Sequence, residues 1–383
     1  MHTEHHNDFN YSKYRPKGYP VRHKRKIPFE PILSLPIEYR SMIRRIRELD
    51  GVLDEFILGS DDYLELVKEA FANNIHWSTK IEGNKLSLEE VMKLTGRFTR
   101  KEITENNNGP TQEILNHLYS FFAKNEMSLP WNKETVTKTH AILMRGVSES
   151  ITPGVIRTED VSIIGSDGTE FFITCPPKYV EDELDSILEW LNTSPYDEII
   201  TATLLFHEFE SIHPFKDGNG RAGRTLFQIL LQELGLKNCK LCKFEEEMLS
   251  DPETYYDLLA YTDSTQNYAP IVMYFTEALL RAYENAVIEF SKKDRLLEMD
   301  ENTRMIVRKA KEVDSFTFKE AIRWVPGIGI QALRKKMDEL VDMDILIKVG
   351  MTKSMRYMFK DPLRDLRAGL SLETKGYPNT NED

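Results

Sequence analysis

Residues 213–224 read HPFKDGNGRAGR, and they concentrate the groups that phosphate chemistry needs. Gly218-Asn219-Gly220 can take positive φ and lets a ligand approach the main chain closely. The residues that follow, RAGRTLFQILLQELG, have helical periodicity, with Leu226, Phe227, Leu230, Leu231 and Leu234 facing a core. The glycines therefore feed a helix N-terminus, where free N–H groups and the positive end of the dipole favour an anion. Arg221 and Arg224 share a face of the first turns, and both can donate forked hydrogen bonds to phosphate oxygens. Asp217 is a carboxylate beside that anion site. It makes sense if Mg2+ lies between them, because Mg2+ takes one or two carboxylates and fills its shell with phosphate oxygens and water. His213 lies just upstream, with Pro214 restricting the backbone behind it. A neutral imidazole can take a proton near neutral pH, and the hydroxyl so relieved would attack a phosphorus in line. The stretch is not a G-x-x-x-x-G-K-[ST] phosphate loop, because that pattern is absent.

A second stretch, WSTKIEGN at 77–84, ends another helical pattern. Ser78 and Glu82 fall on one helical face, and Gly83 suits the position that stops a helix. Taken alone, this is a solvated helix end.

HPFKDGNGRAGR resembles the full Fic signature, His-Pro-Phe-x-[Asp/Glu]-Gly-Asn-Gly-Arg-x-x-Arg, with every fixed position matched, and FHEFESIHPF resembles the lead-in to it. The resemblance covers roughly residues 60–265. It implies a helical enzyme that moves AMP from ATP to a Ser, Thr or Tyr hydroxyl of a target protein, or of itself, and releases pyrophosphate. It implies that His213 is the base and that Asp217 holds Mg2+ against the α- and β-phosphates. Gly218, Asn219, Gly220 and Arg221 would form the anion nest, and Arg224 would grip the γ-phosphate. Ser-x-x-x-Glu-Gly at Ser78, Glu82 and Gly83 resembles the family's inhibitory motif. Glu82 would then compete with the γ-phosphate for Arg224, or orient water for the reverse reaction. The segment Val161–Ile173, with Val161, Ser162, Ile163 and Ile164 leading, resembles the family's flap and would take a target segment as an added strand.

The elements that must position these groups are mostly helical. Apolar residues recur at helical spacing from Ile37 to Leu58, through Ile57, and again at Leu64, Val67, Phe71 and Ile75. Ser87-Leu-Glu-Glu fits a capping box. Further helices are expected near 110–125, 132–146, 178–193, 195–211, 219–235, 252–263 and 270–297. VSIIGSDGTEFFI breaks the pattern with a β-branched run, a Ser-Asp-Gly turn and an aromatic run, which predicts a hairpin. Residues 1–36, rich in Pro, Tyr and basic side chains, read as an irregular arm, and Arg22, Lys24, Arg25 and Lys26 as a solvated basic run. From about 301 the order helix, helix, helix, hairpin suggests a winged helix. The expected fold is therefore mainly α: a Fic helical core with a β-hairpin flap and a C-terminal winged helix. Its expected parts are 1–110 with the inhibitory motif, 111–297 as the catalytic core, and 298–383 as the winged helix and tail.

Composition limits the alternatives. The chain has 383 residues, 40% hydrophobic and 29% charged, and a net charge of −12, so it is no bulk polyanion binder. Residues 301–360 carry +5, however, which leaves −17 elsewhere and suggests a local surface for nucleic acid or an acidic partner. Arg334, Lys335 and Lys336 would lie on the recognition helix of that module, although Asp338, Glu339, Asp342 and Asp344 beside them would repel phosphate. The three cysteines are too few for a disulfide framework, and Cys239-x-x-Cys242 has no second pair with which to bind zinc. The N-terminus has no apolar core of a secretory signal, and no run is long enough to span a bilayer, so the cytoplasm is the expected compartment. Apolar helices outside the core leave room for a homodimer. Two rival readings stand beside AMP transfer: another nucleotide or phosphocholine donor, which the pair Asp217 and Arg224 disfavours, and a DNA-binding regulator or docking protein with a degenerate core.

Overall fold

The structure, a computed structural model, describes residues 9–56, 58, 60–96, 109–122, 127–165, 168–294, 299–350 and 355–360. Ile57, the Ser166-Asp167 turn, the expected helix ends at 123–125 and 295–297, and the tail beyond 360 lie outside the described residues. In chain order the elements are β1 (Val21–Arg22), α1 (Tyr39–Glu55), α2 (Ser60–Lys80), α3 (Leu88–Gly96), α4 (Gly109–Phe122) and α5 (Lys133–Met144). Then come β2 (Ser162–Ile164), β3 (Glu170–Ile173), α6 (Pro177–Thr193), α7 (Glu198–Ile212), α8 (Asn219–Glu233), α9 (Phe244–Leu249), α10 (Pro252–Thr265) and α11 (Ala269–Ser291). The last are α12 (Glu301–Lys311), α13 (Phe318–Trp324), α14 (Ile330–Asp342), β4 (Leu346–Val349) and β5 (Arg356–Phe359). The protein is mainly helical, as its sequence pattern requires. It forms two compact units, residues 1–48 with 70–283, and 49–69 with 284–383.

The larger unit is built around α7. Its sequence, EIITATLLFHEFESI, is apolar on nearly every side, and a helix of that kind must be buried all round. Ile199, Ala202, Leu204, Phe206, Phe209 and Ile212 are all close to fully buried. Asp197 starts the helix by accepting from the N–H groups of Ile199 and Ile200, both at 3.1 Å. α8 packs along α7, and it buries polar side chains as well as apolar ones: Asn219, Arg221, Arg224, Thr225 and Gln228. Thus the helical part of the signature is largely buried, while Lys216 and Asp217 in the loop before it are exposed. The expected Ser87 capping box is present, with Ser87 N donating to Glu90 Oε2 at 2.8 Å and Glu90 N to Ser87 Oγ at 3.3 Å.

The expected hairpin is present, but it belongs to a larger sheet. Strand order is β1-β3-β2, with β2 antiparallel to β3 and β1 parallel to it through Val21↔Phe172 and Arg22↔Ile173. The described part of the expected irregular arm, residues 9–36, has little regular structure but is tied into the sheet through β1. Val21 packs with Phe172 and Ala260 in one small apolar cluster. Of the basic run, Arg22, Lys24 and Arg25 are exposed as expected, Arg25 lying over the Tyr179 ring, but Lys26 is buried against Glu208 at 2.7 Å. The pattern of alternating Pro and basic residues hides this, because the partners come from α6 and α7.

In the smaller unit, α12, α13, α14 and the β4–β5 hairpin appear in the expected order. They close over Ile306, Val307, Phe316, Leu333, Met337, Leu340 and Tyr357. Thr317 and Glu320 form a full capping box at the head of α13.

Lys26 offers a test of the arm. Burial pushes the Glu208 carboxyl up, but the Lys26 ammonium and the His207 ring outweigh it and hold the pKa at about 2. Lys26→Ala leaves that carboxylate buried with Tyr268 and His207 as its hydrogen-bond partners among the described residues, at 2.6 and 2.9 Å. A loss of about 3 kcal/mol is expected, seen as a lower urea midpoint at unchanged slope. The group is depressed in the folded state, so its contribution is complete above the ordinary value of 4.5 and disappears as pH falls through about 2. The gap between wild type and variant should narrow over that window; a constant gap would show that the pair is not its source.

Candidate active site

The end of α7 sets the position of the imidazole. His213 is the residue just past the helix and takes φ 53°, ψ 64°, a left-handed conformation that a non-glycine side chain adopts only when its surroundings enforce it. Arg157 enforces it. Its Nε donates to His213 O at 2.6 Å, its Nη2 to Ile212 O at 3.1 Å and its Nη1 to Glu159 O at 2.7 Å, while its own N–H donates to Pro214 O at 2.9 Å. The guanidinium thus occupies the negative end of the helix dipole. His213 Nδ1 lies 3.3 Å from Glu210 O, so Nδ1 carries the proton and Nε2 is left with a lone pair. Burial lowers the imidazole pKa to about 4, which keeps the ring neutral.

The loop from His213 to Gly218 is clasped from within. Asn219 Oδ1 accepts from Phe215 N and Asn219 Nδ2 donates to Phe215 O, both at 2.8 Å. The Asn219 side chain is therefore spent on the loop, and its contribution to an anion nest is its backbone N–H. Phe215 stacks on His140 with centroids 3.7 Å apart. His140 Nδ1 accepts from Gly154 N at 2.8 Å, so its Nε2 donates to Asp217 O at 2.9 Å. Gly218 begins α8 at φ 79°, where a Cβ would run into the Met144 side chain. A Cβ on Gly220 would strike Glu82 Oε1 and Arg224 Nη1. Gly218 is needed for its positive φ as well as for space, and Gly220, which is helical, for space alone.

Two buried guanidiniums face this loop. Arg224 is 3% exposed; its Nε donates to Ser78 Oγ and its Nη2 to Ser78 O, both at 2.8 Å, and Nη2 also reaches Glu82 Oε1 at 2.7 Å. Burial alone would lower the Arg224 pKa, but Glu82 and Tyr255 outweigh it and raise it. Burial opposes ionisation of Glu82, yet Arg224 and Arg221 hold its carboxyl below the usual range. Gly83, at φ 96°, turns the chain just after α2. Arg221 donates through Nη1 to Glu113 Oε1 and through Nη2 to Asp217 Oδ1 at 3.0 Å. Glu210 lines the same space. Burial pushes its carboxyl up to about 8, against the pull of Arg224, so it is neutral at pH 7, and its Oε1 is buried without a hydrogen-bond partner among the described residues.

These groups surround a cavity of about 270 Å³. His213, Asp217, Gly218, Asn219, Gly220, Arg224 and Glu82 form one wall, and Val161, Ser162, Ile163, Phe172, Tyr256 and Leu259 contribute to the other. Ile164 is not part of the lining and is 64% exposed. β1 covers one edge of β3, which leaves the far edge of β2 open among the described residues. Reading the sequence missed Arg157, His140, Glu113, Tyr255 and Tyr256, because each lies tens of residues away from the signature, and it missed Glu210, which is close in sequence but marked only by its burial.

Asp217 is half exposed, its Oδ1 also accepts from Gly218 N at 2.6 Å, and its Oδ2 makes no hydrogen bond among the described residues. No cluster of three or more His, Cys, Asp or Glu that could hold a metal occurs among the described residues. A single free carboxylate oxygen beside an anion loop fits Mg2+ carried in by a polyphosphate, not a caged ion.

Residues 130–231 match the model of the Fic/DOC family. The chain carries a Fic/DOC domain. It is 27% identical over 208 residues to a protein from Caenorhabditis elegans named protein adenylyltransferase fic-1, a match covering 51% of this chain and 38% of that protein. It is 38% identical over 87 residues to a probable protein adenylyltransferase of Aquifex aeolicus, covering 22% of this chain and 26% of the relative. The chain thus spans well under half the length of these relatives. A crystal structure of a Fic family protein from Desulfovibrio desulfuricans G20 superposes with a TM-score of 0.58 at 20% identity, over 87% of this chain and 98% of that one. This last likeness is one of fold.

The His213 geometry is open to measurement. A nitrogen-detected NMR titration is expected to show a neutral, Nδ1-protonated ring with a midpoint near 4. A midpoint near 6.5 would mean that the ring is not enclosed as described.

Proposed function

We propose that this protein is an adenylyltransferase that moves AMP from ATP to the hydroxyl of a Ser, Thr or Tyr on a protein, and that Glu82 holds it in check. The observation that carries this reading is the clamp of Ser78 and Glu82 on Arg224, set in the wall of a cavity that also holds His213 and the glycine loop.

The polyphosphate would lie on the N–H groups of Gly218, Asn219 and Gly220 at the head of α8. Arg221 adds positive charge, and Arg224, freed of Glu82, would turn to the γ-phosphate. Asp217 would hold Mg2+, which when bound neutralises phosphate charge. The apolar side of the cavity, with Ile163, Phe172 and Tyr256, gives the nucleoside a place away from water. A target segment would join the open edge of β2 and bring its hydroxyl to His213. His213 Nε2 takes the hydroxyl proton, the oxygen bonds to the α-phosphorus, and the bond to pyrophosphate breaks. The incoming negative charge raises the imidazole's affinity for that proton. Catalysis here is alignment and charge placement.

Glu82 and the γ-phosphate need the same guanidinium. While Glu82 holds it, a nucleotide that binds sits out of line, and misplacement of about 1 Å can cost about 100-fold in rate. The same carboxylate is also placed to orient a water for removal of AMP.

For the smaller unit we propose a winged helix that docks protein. Lys336 pairs with Asp300, Lys335 with Glu339 at 3.5 Å and Lys348 with Asp338 at 2.7 Å, so its lysines are largely neutralised by neighbours. Arg334 lies over the Phe318 ring at 5.6 Å. No helix among the described residues is long and apolar enough to cross a membrane.

With labelled ATP and cell lysate, Glu82→Gly is expected to raise label transfer about 100-fold while lowering thermal stability, because Arg224 loses a buried counter-charge. His213→Ala in that background should cost about 10²- to 10⁴-fold. Transfer by Glu82→Gly no faster than wild type would sink the reading. In a gel shift against duplex DNA, the docking role predicts no salt-sensitive binding; a steep loss of affinity with salt would favour the DNA reading instead.

A further inference from the structure

Glu113 lies on α4, and its side chain is one-tenth exposed. Each of its carboxylate oxygens has its own partner. Oε1 accepts from Arg221 Nη1, and Oε2 accepts from Asn84 Nδ2 at 2.7 Å. Asn84 directly follows Glu82-Gly83. Its Nδ2 also donates to Pro110 O at 3.1 Å, and its Oδ1 accepts from Leu86 N at 3.0 Å. The far side of the turn that presents Glu82 is therefore fastened to the head of α4. Arg221 continues the chain of contacts, since its Nη2 donates to Asp217 Oδ1 at 3.0 Å. A single run of hydrogen bonds thus joins Asn84, Glu113, Arg221 and Asp217.

We infer that Glu113 is a positioning residue that holds the inhibitory turn with one oxygen and, with the other, keeps Arg221 balanced so that Asp217 stays free for Mg2+. The inference rests on the adenylyltransferase reading above.

The reason is charge. Arg221 is a buried cation, 6% exposed, shared between two carboxylates. A divalent ion on Asp217 would stand close to that guanidinium and draw charge from the same carboxylate. Glu113 is then the counter-charge that lets Arg221 stay in place. Without it, Arg221 falls back on Asp217 and competes with the ion for it. Partners one step removed from a metal commonly change its affinity by about 10- to 100-fold. The Asn84 bond has a different effect: it orders the turn and does not touch the metal end.

The test uses the full chain. In the Glu82→Gly protein, Mg2+-dependent ATP binding is followed by calorimetry. Glu113→Gln is expected to raise the Mg2+ needed for half-saturation by about tenfold or more, while ATP binding in EDTA stays the same. A role in folding alone would weaken both equally, and that result, like an unchanged Mg2+ requirement, overturns the metal half. Glu113→Asp keeps the charge and should restore most of the Mg2+ dependence; if Glu113→Gln does not fold, an Asp variant as Mg2+-dependent as the parent supports the proposal and an ordinary structural loss overturns it. In the otherwise unaltered chain, Asn84→Ala should speed amide exchange across residues 81–87 several-fold, as the loss of one or two hydrogen bonds implies. Unchanged exchange overturns the turn half. If the Glu82→Gly protein binds no Mg2+ and ATP together, the adenylyltransferase reading fails; if it binds them and Glu113→Gln changes nothing, this inference alone fails.

Discussion

Arg224 cannot give up its charge, and it is buried. A guanidinium in that position needs an anion within reach, whatever else the site does. In this structure Glu82 provides it, with the Ser78 hydroxyl accepting from Nε and the Ser78 carbonyl from Nη2. In the proposed reaction a phosphate takes over. Stability of the resting protein and restraint of the activity are then one contact seen from two sides. The cavity keeps room for that exchange because residue 220 has no side chain to fill it.

The rest of the larger unit can be understood as support for this arrangement. α7 is a post, apolar all round, whose burial fixes where its C-terminus lies. Arg157 tightens that end and holds His213 in a backbone conformation it would not adopt by itself. α8 starts a few residues later and runs back along α7, so the imidazole and the N-terminal amides meet across a loop clasped by Asn219. The carboxylates around the site are held in different states. Glu82 is kept ionised by two guanidiniums, while Glu210 is kept neutral by burial and by the charge already present on Glu82. One basic site cannot satisfy both carboxylates as anions.

The N-terminal arm shows how a segment without regular structure can still be fixed. Two residues of β1 complete one edge of the flap sheet, and Lys26 neutralises Glu208 inside α7. The edge that remains open is the one beside the cavity. An exposed strand edge is a liability unless something binds there.

Much of this was legible in the sequence. The glycine pair, the flanking arginines and the periodicity of the helix after them announce an anion site at a helix head. The run of apolar residues on α7, the Ser87 box and the β-branched hairpin follow from local rules alone. Local chemistry decides these features, because glycine torsions, capping bonds and helical spacing act over a few residues. The sequence did not reveal that Arg157 clamps His213, that Glu113 bridges Asn84 to Arg221, or that Lys26 of the basic arm is buried against Glu208. Glu113 and Arg221 lie 108 positions apart, and Arg157 meets His213 across 56. Nothing local marks such pairs. Only packing brings them within hydrogen-bond distance, and only burial turns an ordinary charged side chain into one that must find a partner.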